Sequence, residues 1–280
     1  MKIGFGNHYV KKYGVEVGAA KMAADGYTHI DYGFMNTGTE LYTARDESFL
    51  IKVTSLRKTL DKAGLKVEQI HGPWQYPPKD STDDERAERF EKMTKAMVIA
   101  RYLGAKYMAV HPLMPYGANS SENPGGVYEI NRQFFAALAN VGKNLGITVC
   151  LENMPFENHP MHSTEQICAL VRDVNHPYLK VCFDTGHANC TGENIGESVR
   201  LIGGDLLKII HVHDNYGEWD LHNAPYDGTV DWSEFIEALY EIGYDGVMNF
   251  EVKIPSDLTE EQIREAELSL LKTAKLFAGE

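Results

Sequence analysis

Eight short apolar runs alternate with helical patterns along the whole chain, and this alternation limits the fold more than any other feature. The runs are Lys2–Gly6, Tyr27–Asp31, Leu65–His71, Lys106–His111, Ile147–Leu151, Leu179–Phe183, Leu207–Val212 and Gly246–Phe250. Helical periodicity fills the gaps, over Val15–Ala24, Glu47–Ala63, Thr82–Leu103, Val127–Leu145, Thr164–Val174, Trp232–Ile242 and Glu260–Phe277. Ser81 or Thr82, and Asp231, have the side chains expected of N-caps. Alternating strands and helices argue a parallel α/β fold. Eight such units in 280 residues predict one (β/α)8 TIM barrel over residues 1–280, in preference to a doubly wound sheet. No linker or low-complexity tract divides the chain.

The strand ends carry the chemistry. His71, His111, Glu152, Asp184, His211 and Glu251 stand at the C-terminal ends of six consecutive runs. In a barrel these ends converge on one face, where active sites of this fold lie. Side-chain alternation gives a second check. If Glu152 points inward, so do Thr148 and Cys150, while Ile147, Val149 and Leu151 face the helices. The same phase at Asp184 puts Cys182 inside and Val181 and Phe183 outside. At Glu251 it puts Asn249 inside, with Met248 and Phe250 outside. Apolar residues fall on the helix side each time, so Cys150 and Cys182 read as small barrel-filling residues and not as nucleophiles. Carboxylates gathered this closely repel one another unless a cation sits among them. Mixed imidazole and carboxylate donors suit Zn, Mn, Co or Fe better than Ca or Mg.

Composition narrows the partners. A net charge of -13 disfavours nucleic acid and anionic membranes. The stretches Pro112–Gly126, Asn153–His162, Thr185–Glu193 and Asp214–Val230 contain no Lys or Arg, which argues against a groove for DNA and against a phosphorylated sugar. No apolar run approaches membrane-spanning length, and the N-terminus shows no apolar leader. Four irregularly spaced cysteines suggest no disulfide framework, so reduced thiols and a cytoplasmic protein are expected. A homo-oligomer is compatible with all of this.

The motifs His71-Gly72, His111-Pro112, Leu151-Glu152-Asn153, Asp184-Thr185-Gly186-His187, His211-Val212-His213-Asp214, Asp220-Leu221-His222 and Phe250-Glu251 resemble those of the xylose isomerase-like TIM barrels. That superfamily (AP endonuclease family 2) includes sugar isomerases and epimerases and the endonuclease IV branch. The resemblance spans nearly the whole chain. It implies that Glu152, Asp184, His211 and Glu251 hold one Mn or Co, as matching positions do in the sugar epimerases. The endonuclease IV branch builds a three-zinc cluster that also uses positions matching His71, His111, His187, Asp220 and His222. The expected cofactor is therefore a divalent transition metal, Zn, Mn or Co, in one to three ions.

On this reading the protein is a metal-dependent isomerase or epimerase of a sugar or a polyol, such as an inosose. A metal-stabilised enediolate forms while the Glu152 and Glu251 pair moves the proton, and His187 assists at the carbonyl oxygen or ligates a second metal. His213, Trp74, Asn153 and Glu157 are candidate substrate contacts, as is Phe34, and Asp214 is expected to orient an imidazole. The Arg that follows the strand-7 His in characterised ketose epimerases is absent, and Gly217-Glu218-Trp219 occupies that region. His8, His29, His159, His162 and His176 read as ordinary loop or surface residues. The alternative function is an endonuclease IV-like zinc-cluster nuclease acting on abasic DNA.

Overall fold

A computed structural model describes residues 1–33 and 48–280. Its strands are β1 (Lys2–Phe5), β2 (His29–Ile30), β3 (Gln69–His71), β4 (Tyr107–Val110), β5 (Thr148–Glu152), β6 (Leu179–Asp184), β7 (Leu207–Val212) and β8 (Val247–Phe250). They form one eight-stranded sheet in the order β2-β1-β8-β7-β6-β5-β4-β3, and every pairing is parallel. A parallel bridge from His29 to Lys66 draws the two ends of the sheet together, with the Ile30 N–H donating to the Lys66 carbonyl at 3.0 Å. The result is the expected (β/α)8 barrel.

The described helices are α1 (His8–Tyr13), α2 (Val15–Asp25), α3 (Ser48–Ala63), α4 (Asp83–Leu103), α5 (Pro124–Leu145), α6 (Thr164–Val174), α7 (Thr185–Cys190), α8 (Ile195–Ile202), α9 (Trp232–Glu241) and α10 (Glu260–Ala278). Phe34 and Glu47 lie outside the described residues. Thr82, not Ser81, caps α4: its hydroxyl accepts from the Glu85 N–H, and the Glu85 carboxylate accepts from the Thr82 N–H in return. Asp231 caps α9 as expected. Helix α5 starts at Pro124, earlier than the expected Val127, because a proline suits the first helical turn and Asn123 caps it. The short helices α1, α7 and α8 are absent from the sequence reading, since one or two turns show too little periodicity to stand out.

Two apolar layers follow from strand alternation. Val149, Leu151, Val181, Phe183, Met248 and Phe250 belong to the large cluster between sheet and helices. Ala109, Cys150, Cys182 and Ile209 form a small separate cluster, with Tyr107 packed on it. Both cysteines are therefore inside the barrel as the phase requires, and burial raises the thiol pKa of each, which removes any nucleophilic role. Small side chains fill the barrel below the strand ends, so the polar residues above them rest on a packed floor.

His159, on the segment after β5, is only 1% exposed, contrary to its reading as a surface residue. Its Nδ1 accepts from the Met161 N–H at 3.2 Å, while burial pushes its pKa down to about 4. The unfolded chain thus binds a proton near pH 6.5 that the folded protein refuses until about pH 4. Stability from this group is complete above the unfolded value and is lost as pH falls through the window. By about 1.4 kcal/mol per pKa unit, the full loss is on the order of 3 kcal/mol. Urea denaturation between pH 7 and 4.5 should show the decline, and His159→Gln should flatten it. Identical slopes for the two proteins would refute the assignment.

Candidate metal centre

The six strand-end residues meet at the C-terminal mouth. His71 and Glu152 close β3 and β5, Asp184 closes β6, His211 sits one residue before the end of β7, and His111 and Glu251 directly follow β4 and β8. Sheet register sets Asp184 beside His211 and His211 beside Asn249. Glu152 is buried, with its side chain 1% exposed. Its Oε2 is 3.2 Å from both His71 Nε2 and His111 Nε2, and those two nitrogens are 3.1 Å apart. Donor atoms held about 2.0–2.1 Å from a tetrahedral ion lie roughly 3.3–3.4 Å from one another, so this triangle has the size of one face of such a site.

Ring orientation supports the same fit. His71 Nδ1 lies 2.6 Å from the Gly72 carbonyl, His187 Nδ1 2.8 Å from the Asn153 carbonyl, and His222 Nδ1 2.7 Å from the Glu251 carbonyl. A carbonyl only accepts, so in the neutral ring Nδ1 carries the proton and Nε2 keeps its lone pair. All three Nε2 atoms belong to residues lining the cleft at the barrel mouth. Imidazoles locked by main-chain acceptors in this way are typical of metal ligands. The donor set fits a divalent ion.

His211 stands between the remaining carboxylates. Its Nδ1 is 2.8 Å from Glu152 and 3.9 Å from Asp184, and its Nε2 is 3.4 Å from Glu251. The sequence reading missed a fourth carboxylate here. Asp31, directly after β2, has Oδ2 3.7 Å from His211 Nε2 and accepts from Gln69 Nε2 at 3.0 Å and Asn249 Nδ2 at 3.3 Å. The rule that found the other ligands, a charged residue ending an apolar run, applies equally to Tyr27–Asp31.

The other expected ligands are brought in by α7 and by the segment after β7. Asp184 Oδ1 accepts from the His187 N–H at 2.8 Å, so one carboxylate starts α7 and fixes His187 one turn on. Asp220 Oδ2 lies 3.6 Å from His187 Nε2 and 3.1 Å from His222 Nε2. Main-chain bonds of 2.9 Å in both directions between Asp214 and Asn223 pin the loop that carries Asp220 and His222. Asp214 orients no imidazole. Its carboxylate accepts from the Asn215, Tyr226 and Val230 N–H groups and from the Trp232 indole, which staples that loop.

Four candidate substrate contacts divide. Trp74 lines the cleft, with its ring 4.9 Å from that of His111. His213 is instead fully buried: its Nε2 is 2.9 Å from Asp184 Oδ1 and its ring stacks on His222 at 4.1 Å. Asn153 is buried too, pairing with the Asp184 backbone through both ends of its amide. Glu157 is exposed and does not line the cleft. His213 and Asn153 therefore steady Asp184 from behind, because the chain turns inward just past each strand end.

Charge compensation governs this cluster. Burial disfavours charge on Glu152, Asp184 and Asp220, yet the imidazoles around them hold all three below the usual carboxylate range. Burial likewise lowers the pKa of His187, but Asp184, Asp220 and Glu152 outweigh it and lift it to about 10. Against burial, His71 is raised by Glu152 and Glu251, His211 by Cys182, Glu251 and Glu152, and His222 by Asp220, Glu251 and Asp184, whereas at His111 burial wins and the pKa falls to about 4. Protons on the imidazoles do here what a bound cation would do.

The mouth opens into a cleft of about 620 Å³, walled by Trp74, Tyr76, Met154, Pro155 and Phe156 opposite Glu251 and the histidines. Behind it, Gly186 leaves room for His213, since a Cβ there would fall 1.9 Å from the ring. Gly186→Ala should expel that ring from Asp184, at a cost of about 1–3 kcal/mol. Thermal unfolding should show a drop of several degrees, and an unchanged midpoint would mean that the ring is not fixed where the structure has it.

Residues 19–274 match the family described as xylose isomerase-like TIM barrel. Uncharacterized protein MJ1311 of Methanocaldococcus jannaschii is 31% identical over 189 residues, covering 66% of this chain and 64% of that protein. A D-psicose 3-epimerase of Agrobacterium fabrum is 28% identical over 144 residues, or 51% of this chain and 48% of its own length. A probable endonuclease 4 of Staphylococcus aureus is 25% identical over 205 residues, covering 69% and 67%. The chain thus matches about half to two thirds of the length of these relatives. Among solved structures, a D-psicose 3-epimerase crystallised in the presence of D-fructose superposes with a TM-score of 0.79 at 20% identity, covering 100% of both chains. IOLI protein with a bound zinc atom gives 0.74 at 18% identity, covering 99% and 96%. At such identities the structural likeness is one of fold. The family match extends over nearly all of the barrel and includes every strand-end residue described above, and the chain belongs to the xylose isomerase-like TIM barrel family.

Proposed function

We propose that the protein is a metal-dependent isomerase or epimerase of a sugar or polyol-like substrate, transferring a proton through an enediolate. The observation that carries this reading is the position of Glu251. Its side chain is 25% exposed and lines the cleft, and its closest ionic partner among the described residues is His211 at 3.4 Å. It is a carboxylate beside the candidate ion site with a free edge toward substrate. Glu152 faces it across His211 and is held by three imidazoles. A divalent ion, Zn, Mn or Co, held by Glu152, Asp184, His211 and Glu251 would stabilise negative charge developing on substrate oxygens.

The chain's own residues account for the rest. Glu251 removes the proton α to the carbonyl, and Glu152, approaching from the strand on the other side of His211, returns it. His187, with Nδ1 fixed by the Asn153 carbonyl, presents Nε2 to the substrate oxygen. Trp74, Tyr76 and Phe156 offer flat apolar faces for the C–H side of a sugar ring and keep water from the intermediate. The D-psicose 3-epimerase relative and the zinc-bound fold neighbour support both the substrate class and the ion.

One observation favours the nuclease alternative. All nine positions of the three-zinc pattern surround the same mouth, and a probable endonuclease 4 is among the relatives. Against it stand the net charge of -13 and loops without cations.

Metal analysis separates the two. Wild-type protein should retain at least one transition-metal ion, and a Glu152→Ala, Glu251→Ala double variant should lose it; equal content in both would sink the ligand assignment. A ratio near one ion per chain at saturating zinc favours the isomerase, and three favours the nuclease. Proton transfer has its own readout. With Mn or Co in heavy water, at least one ketose, aldose or inosose should take up deuterium or yield an isomer. Glu251→Gln should slow that exchange about 10²–10⁴-fold. Zinc-dependent incision of abasic duplex DNA, with no exchange on any sugar, would establish the nuclease instead.

A further inference from the structure

The cleft has a second lobe, of about 390 Å³, that shares Lys11, Gly33, His71, His222 and Glu251 with the first. Its own lining includes Asn7, His8 and Lys253. The two lysines come from α1 and from the segment after β8, which are not among the cation-free loops. Both are exposed, and neither has an ion-pair partner among the described residues, although the chain holds 40 acidic side chains against 27 basic ones. His8 is not free to act as a cation here, being held by the buried Glu267 at 3.0 Å.

Both lysines start from anchored backbone. The Lys253 N–H donates to the His222 carbonyl at 2.9 Å. The Lys11 N–H donates to the Asn7 carbonyl at 2.8 Å, and the Gly6 N–H to the Phe250 carbonyl at 3.1 Å. Lys11, like Glu251, lines both lobes, so a ligand that spans them lies along both side chains. The lining also holds two carboxylates: Asp31 is engaged by Gln69 and Asn249, and Glu251, beside His211, is the group that works on the near end of the substrate. Asn7 adds a buried side-chain carbonyl oxygen with no hydrogen-bond partner among the described residues, an acceptor suited to a hydroxyl.

We infer that this lobe is an anion subsite: Lys11 and Lys253 receive a phosphate or carboxylate group at the far end of the sugar while Glu251 works on the near end. The substrate class is then an acidic sugar, either a sugar phosphate or a sugar acid. This rests on the sugar reading above. It reverses the expectation against phosphorylated sugars, which considered only the loops after β4, β5, β6 and β7.

The test measures binding separately from turnover. Calorimetry on Mn-loaded protein compares D-fructose, fructose 6-phosphate and fructuronate, in wild type and in a Lys11→Met, Lys253→Met double variant. Two charge-assisted contacts should give the phosphate or the uronate at least about tenfold tighter binding than fructose. Whichever anion gains identifies the source of the charge. The double variant should lose that advantage while binding fructose as before. Anions that bind no tighter than fructose, or that keep their advantage in the variant, overturn the subsite. Heavy-water exchange over the full sugar panel reports on the reaction alone: a lysine-dependent preference with no exchange on any sugar upholds the subsite and rejects the isomerase. Abasic duplex DNA bound more tightly than either sugar anion, and weakened by the same double variant, would assign the lysines to a nucleic-acid backbone and overturn the sugar-acid proposal.

Discussion

Glu152 is buried with three imidazole nitrogens within 3.2 Å of its two oxygens, and the rest of the site depends on how that charge is compensated. A buried carboxylate stays ionised only beside positive charge. His71, His111 and His211, at the ends of β3, β4 and β7, supply it, because in a barrel those ends converge on one mouth. Below it lies the buried apolar layer of Ala109, Cys150, Cys182 and Ile209, which offers no charge of its own. Compensation comes from the imidazoles around it, so the charge state of the rings and the stability of the mouth are linked.

The loops serve the same end by different means. Asp214 binds only its own segment and its flanking helix, and it thereby holds the turn on which Asp220 and His222 stand. His222 adopts a positive φ of 56°, a conformation a non-glycine residue holds only when its surroundings enforce it. Asp184 does three things at once, starting α7, meeting His213 and facing His211. A change at this residue would therefore be felt on β6, β7 and the helix together.

Much of this was legible in the sequence, because strands and ligands obey one rule: an apolar run with period two ends in a charged residue. The rule located His71, His111, Glu152, Asp184, His211 and Glu251, and its phase put Cys150 and Cys182 inside. Asp31 obeys it as well and was passed over, since β2 is a two-residue strand with a weak apolar signal. His213, Asn153 and Asp214 were misjudged for a different reason. They lie one or two residues past a strand, where alternation stops and the turn decides which way a side chain points. Lys11 was invisible because α1 is too short to announce itself, and a lysine on a helix gives no sign that it borders a cleft. Pairings between residues far apart in sequence, such as Asp31 with Gln69 and Asn249, leave no trace in any local pattern.

The rings of His71, His187 and His222 are steered by the carbonyl oxygens of Gly72, Asn153 and Glu251. Those oxygens belong to the main chain, so no point substitution can delete them while the fold survives. The aim of the three imidazoles is in that sense a property of the scaffold and not of its neighbours' identities. Descendants of such a barrel can exchange the walls of the cleft, taking a new substrate or even a new reaction, without relearning how to hold the rings. One scaffold can then carry different clefts, with heritable variation confined to whatever lies above the three rings.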